Sequence, residues 1–144
     1  MRGDCLCGTI AFEIAGALPD LYQCHCSLCR RQSGGMSNAA TIVKMSQLTW
    51  LKGQDRIKTW IKDTGYRSDF CCECGSPVPN LLRDKPYYWV PAGLMGVGTD
   101  SEVRLHLHLG SKADWDKGSM TGIQFEESPS LEHIINLLEK RPDA

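Results

Sequence analysis

The sequence predicts a mainly β fold of packed antiparallel sheets carrying two small helices. Three observations lead there. Short runs of alternating apolar and polar residues recur along the chain, glycine-rich turns separate them, and only two segments carry a helical pattern. The 144 residues contain no internal repeat and no Pro/Gly/Ser-rich linker, so a single domain over 1–144 is expected. Its core would span about residues 3–128, with a C-terminal helix at about 129–141.

In chain order, Ile10, Phe12 and Ile14 alternate with Ala11 and Glu13 after Gly8, the pattern of a half-buried strand. Leu21–Gln23 leads into a group of cysteines. Ala39–Val43, Leu48–Leu51 and Arg56–Ile61 read as strands separated by turns such as Lys52-Gly53-Gln54-Asp55. Tyr66–Phe70 follows Thr64-Gly65 and runs into Cys71. Tyr87–Val90 is aromatic and β-branched. Val103, Leu105, Leu107 and Leu109 alternate with Arg104, His106 and His108 and form the clearest strand. Ser27–Gln32 reads as a short helix or turn closed by Ser33-Gly34-Gly35. In the C-terminal helix Ser128 would cap, Pro129 would take the first position, and Leu131, Ile134, Ile135 and Leu138 would share one face.

Composition narrows the function. Net charge is −1, with 23% charged and 42% hydrophobic residues, ordinary for a soluble protein. No basic run could neutralise several phosphates, so nucleic acid is not an expected partner. No apolar stretch approaches the ~20 residues needed to span a bilayer, so no membrane partner is expected. The N-terminus lacks the apolar core of a signal peptide, and a cytoplasmic protein is expected. The sequence leaves the oligomeric state open.

The eight cysteines carry the chemistry. In a reducing compartment they point to metal or catalysis rather than disulfides. Cys5/Cys7 and Cys24/Cys26 are each separated by one residue, a spacing too short for an unstrained bridge. Cys5-Leu6-Cys7-Gly8 and Cys71-Cys72-Glu73-Cys74-Gly75 each end in a glycine that lets the backbone turn tightly behind the thiolates. Together, Cys5, Cys7, Cys71 and Cys74 would close a four-thiolate structural site. A pairing of Cys72 with Cys74 is the alternative, and Cys72 otherwise reads as a spare thiol.

Cys24-His25-Cys26-Ser27-Leu28-Cys29 offers three more thiolates, two of them one helical turn apart. Three protein ligands and an open fourth position is the arrangement of a catalytic zinc. His25 is the rival fourth ligand. His106 and His108 would share the polar face of their strand, solvent-facing or hydrogen-bonded by default, with His106 a candidate substrate contact or proton shuttle. Arg30, Arg31, Lys58, Lys62 and Arg67 could receive substrate carboxylates, Arg30 foremost because it follows the third thiolate. Trp50, Trp60, Trp89 and Trp115 read as core or rim packing.

These motifs resemble those of the glutathione-dependent formaldehyde-activating enzyme family, which includes centromere-protein-V-like members. The resemblance rests on Gly3-x-Cys5-x-Cys7-Gly8, on Cys24-His25-Cys26-x-x-Cys29-Arg30 with Gly34, and on Gly65-x-x-x-x-Phe70-Cys71-x-x-Cys74-Gly75-Ser76. The stretch His106–Trp115 and Gln124-Phe125-Glu126 is similar to the family's C-terminal signature. The resemblance implies a zinc-binding β-tent fold with two zinc ions per chain. Cys5, Cys7, Cys71 and Cys74 would hold the structural ion, and Cys24, Cys26 and Cys29 the catalytic one. Arg30, His25 and His106 remain candidate substrate contacts. The implied activity is that of a carbon–sulfur lyase joining glutathione and formaldehyde into S-(hydroxymethyl)glutathione, with a small thiol such as glutathione as partner. The alternative is a non-catalytic zinc-stabilised scaffold or binding module.

Overall fold

The computed structural model describes residues 1–96 and 98–139. The strands are β1 (Arg2–Asp4), β2 (Ala11–Ile14), β3 (Leu21–Cys24), β4 (Asn38–Lys44), β5 (Leu48–Lys52), β6 (Ile57–Ile61), β7 (Arg67–Cys71), β8 (Asn80–Leu81), β9 (Tyr87–Pro91), β10 (Val103–Leu107) and β11 (Ile123–Gln124). The helices are α1 (Ser27–Ser33) and α2 (Leu131–Glu139). The fold is therefore mainly β with two helices, one of them C-terminal, as the sequence predicts. The chain divides into two compact units, Met1–Leu18 with Ile42–Thr99 and Pro19–Thr41 with Asp100–Ala144. No helix among the described residues is long and apolar enough to cross a membrane.

In the first unit β1, β2 and β5 form an antiparallel sheet, and β6–β7 and β8–β9 pair as antiparallel ribbons. Gly3 faces Phe12 across β1–β2. A Cβ at Gly3 would lie 2.3 Å from the Phe12 ring, so the missing side chain is what lets that ring lie flat over the strand. Phe12 in turn meets Trp50 edge-on, with centroids 6.0 Å apart. A compact group of Cys5, Ile10, Cys71 and Val78, flanked by Trp50, Ile57, Cys74 and Leu94, fills the interior. Two cysteines of the predicted four-thiolate group thus belong to the core.

In the second unit β3 pairs antiparallel with the first half of β4 and parallel with β10, and β10 pairs parallel with β11. The sequence predicts antiparallel sheets only. Strand direction across a long connection is not encoded in alternation, so the parallel pairs were invisible to it. Tyr22, Cys24, Leu105 and Leu107 share one face of the β3–β10 pair, and Gln23 and His106 share the other. The Arg104 guanidinium binds the buried carboxylate of Asp20, with Nε 2.6 Å from Oδ2.

Helix α2 starts two residues later than the sequence predicts. Ser130, not Ser128, caps it, its Oγ accepting the His133 N–H at 3.2 Å. Ile134 and Leu138 are buried, and the Leu138 carbonyl accepts the Asp20 N–H. The predicted continuation to 141 lies outside the described residues.

Candidate metal centres and the buried histidine pair

Two turns bring the first cysteine group together. The Gly8 N–H donates to the Cys5 carbonyl and the Cys5 N–H to the Ile10 carbonyl, while Gly8 takes the left-handed conformation at φ 76°. The second turn repeats the design: the Gly75 N–H donates to the Cys71 carbonyl, the Cys71 N–H donates to the Ser76 carbonyl, and Gly75 has φ 77°. The Sγ atoms of Cys5, Cys7, Cys71 and Cys74 all lie within 4.8 Å of one another. Cys5–Cys7 is 3.6 Å and Cys7–Cys71 is 3.8 Å. A tetrahedral ion with metal–sulfur bonds of about 2.3 Å requires edges of about 3.8 Å, so the group fits zinc.

Polar neighbours support the sulfurs. The Ile10 N–H donates to Cys5 Sγ at 3.3 Å, Thr9 Oγ1 lies 3.1 Å from Cys7 Sγ, and Ser76 Oγ lies 3.4 Å from Cys74 Sγ. Ser76 lowers the Cys74 thiol to about 5, and Thr9 lowers that of Cys7. Burial raises Cys71 to about 12. Cys72 is exposed and lies outside this group, its Sγ 3.8 Å from Glu73.

The second group sits where β3 gives way to α1. Cys24 ends the strand, and Cys26 is the N-cap of the helix with φ −67° and ψ 158°. Cys26 Sγ accepts the Cys29 N–H at 3.4 Å. Gly34 closes the helix in the left-handed conformation. The three sulfurs of Cys24, Cys26 and Cys29 lie within 4.8 Å of one another. Among the described residues no histidine or carboxylate joins them. Hydrogen bonding from Cys24 and then Cys29 pulls the Cys26 thiol down to about 2, and the same contacts push Cys24 far up.

His25 points the other way. The backbone is extended through Cys24 and Cys26, so the side chain between them falls on the opposite face. Its ring is buried, 1% exposed, with Nε2 3.0 Å from His106 Nδ1. His106 Nε2 lies 2.9 Å from the Thr121 carbonyl. That oxygen only accepts, so His106 donates from Nε2; with a neutral His106 ring, Nδ1 then accepts the His25 Nε2–H. His25 Nδ1 then faces Asp116 Oδ2 at 3.5 Å. Both atoms are buried, and neither has a hydrogen-bond partner among the described residues, so the contact between them is a close approach rather than a formed hydrogen bond. Burial and then His106 lower the His25 pKa, and Asp116 opposes them. A cavity of about 400 Å³ borders this row, lined in part by Gln23, His25, His106, Trp115 and Asp116.

A family model described as "Glutathione-dependent formaldehyde-activating enzyme" matches residues 1–111, a span that contains both cysteine groups. The chain belongs to this family. A Halomonas elongata protein named "Putative glutathione-dependent formaldehyde-activating enzyme" is 25% identical over 127 residues, covering 80% of this chain and 78% of its own. A crystal structure of a Rhodobacter sphaeroides protein is similar with a TM-score of 0.57 at 25% identity, covering 72% of this chain and 99% of that one.

The family motifs account for the cysteines but not for every residue singled out in the sequence. Arg30 is partly turned to structure, its Nη2 donating to the Ser111 carbonyl at 3.3 Å. Arg67 is held by both Asp69 oxygens at 2.8 and 3.0 Å, which raise its pKa. His106 is buried rather than solvent-facing, and His108 leaves the strand in a left-handed conformation at φ 57°. Trp89 packs inside, while Trp60 and Trp115 are exposed. Asp116 was missed altogether. Nothing local separates it from Asp114, and it lies beyond the matched span.

The thiol chemistry sets a pH dependence. Metal binding at Cys24, Cys26 and Cys29 must displace at least the Cys24 proton, because that thiol is pushed up. Affinity for zinc or cobalt should therefore rise with pH, by about tenfold per unit for each proton released. Chelator competition between about pH 6.5 and 8 reads the slope; a flat profile would mean that the group is already fully ionised.

Proposed function

We propose that the chain, acting as one zinc-binding domain, is a zinc-dependent carbon–sulfur lyase of the glutathione/formaldehyde type. Its structural ion would be held by Cys5, Cys7, Cys71 and Cys74, and its catalytic ion by Cys24, Cys26 and Cys29. The observation that carries this reading is the three-sulfur group with no fourth protein ligand among the described residues.

Bound there, zinc would supply a centre that keeps a substrate sulfur ionised near neutral pH. The chain's own residues do the rest. Cys24, Cys26 and Cys29 converge their sulfurs from a strand end and the first turn of a helix. Ionised, they concentrate negative charge, which favours delivery of a thiol over strong polarisation of a carbonyl. In the reaction a carbon–sulfur bond forms between the thiol sulfur and the aldehyde carbon. The proton leaving sulfur ends on the former carbonyl oxygen, and no electrons are exchanged with a cofactor. Of the three candidate substrate contacts, Arg30, next to Cys29, is the one kept; His25 and His106 lie on the face away from the sulfurs.

The reading is tested by titrating zinc-loaded protein with glutathione and then following formaldehyde consumption. Saturable binding and turnover are expected, with two zinc ions per chain by elemental analysis. One tightly held ion, no glutathione binding and no turnover would identify a non-catalytic scaffold instead.

A further inference from the structure

Only His25 separates the last residue of β3 from the N-cap of α1, and both of those neighbours are cysteines of the three-sulfur group. Whatever fixes residue 25 therefore fixes the angle at which Cys24 and Cys26 present their sulfurs. The backbone at 25 is tied once, its N–H donating to the Leu107 carbonyl at 2.9 Å. On the face away from the sulfurs the side chain is hydrogen-bonded to His106 at 3.0 Å and paired with the Asp116 carboxylate at 3.5 Å. His106 is itself anchored to the Thr121 carbonyl. Rotating the His25 ring would break the His106 hydrogen bond and move Nδ1 away from the Asp116 carboxylate, in a region where His25, His106 and Asp116 are 1%, 4% and 4% exposed.

We propose that Asp116 and His106 are positioning residues for the Cys24–Cys26–Cys29 metal site, acting through the buried ring of His25 as a strut behind the two ligands. The proposal rests on the reading that this group holds a metal. It adds a residue outside the matched family span and a role for His25 other than ligand. Partners of this kind typically govern metal affinity by 10- to 100-fold where they bond the ligand itself, and a strut acting one residue away should reach about tenfold.

The test uses the full chain and cobalt(II), whose thiolate charge-transfer and d–d bands report metal at each sulfur group. Chelator competition gives the two affinities separately. Asp116→Leu should weaken the three-sulfur site about tenfold and leave the four-sulfur site unchanged. Asp116→Asn should restore affinity, because its amide N–H can donate to His25 Nδ1. Asp116→Leu combined with His106→Leu should cost little more than the worse single change, since both act through one ring. Should Asp116→Leu fail to fold, Asp116→Ser, which is too short to reach His25, carries the same comparison. Unchanged affinity at the three-sulfur site in these variants, or equal weakening at both sites, would overturn the strut. No second cobalt in the unmodified protein would instead overturn the underlying reading of that site.

Discussion

Cys71→Ser is expected to leave the chain largely unfolded, whereas Cys72→Ser, one residue away, should be close to silent. The contrast follows from position. Cys71 is fully buried in the group with Cys5, Ile10 and Val78, and its sulfur lies 3.8 Å from that of Cys7. Cys72 is exposed and outside the four-sulfur group. Structural zinc sites contribute about 10–16 kcal/mol of apparent binding energy at neutral pH, while a whole domain is stable by only about 5–15 kcal/mol. Removing one ligand also leaves a hydroxyl in an apolar interior. Thermal melts by circular dichroism should show no cooperative transition for Cys71→Ser. For Cys72→Ser stability should stay within about 0.5 kcal/mol of the unmodified chain, as for other exposed positions. A strong chelator should turn the unmodified chain into a likeness of Cys71→Ser. If Cys72→Ser proves the more damaging of the two, the four-sulfur grouping is wrong and the shorter Cys72/Cys74 pairing must replace it.

The two cysteine groups were legible in the sequence because short-range spacing and a terminal glycine determine a turn almost by themselves. Gly8 and Gly75 take the left-handed conformation that their place behind the last cysteine implies. Strands were legible for the same local reason: Leu105 and Leu107 alternate, and they are buried. What alternation does not carry is the environment of the other face. His106 was read as solvent-facing or hydrogen-bonded; the structure has it buried and hydrogen-bonded to His25 and Thr121, and alternation alone could not name those partners. Asp116 enters this row from a loop, 91 positions from His25 in sequence, with no periodic signal to announce it. The parallel pairing of β10 with β3 is long-range in the same sense. Local chemistry was readable, and of the contacts made by closing the chain on itself only the joining of the two cysteine turns was, because their metal-ligand spacing announces it.

Cys26 separates the roles of ligand and helix cap, and this gives the sharpest expectation for the second group. Its sulfur both joins Cys24 and Cys29 and accepts the Cys29 N–H at the start of α1. Cys26→Ala removes both functions. Cys26→Ser keeps a cap that helices prefer while replacing the soft thiolate by a hydroxyl that does not ionise near neutral pH. Both variants should lose about one metal equivalent per chain and lower turnover by about a thousandfold or more, the effect of forfeiting several kcal/mol of transition-state stabilisation. They should differ from each other in stability: Cys26→Ala should be weaker than Cys26→Ser by about 1 kcal/mol, the usual worth of a cap. Elemental analysis, turnover and thermal melts on the same samples separate these effects. If Cys26→Ser unfolds as completely as Cys71→Ser, both groups are structural, and the division of labour between a closed clamp and an open reactive site fails. If it stays folded, loses one metal and retains turnover, the chemistry lies elsewhere. Folded protein with one metal and no turnover is the result that the geometry of β3 and α1 leads us to expect.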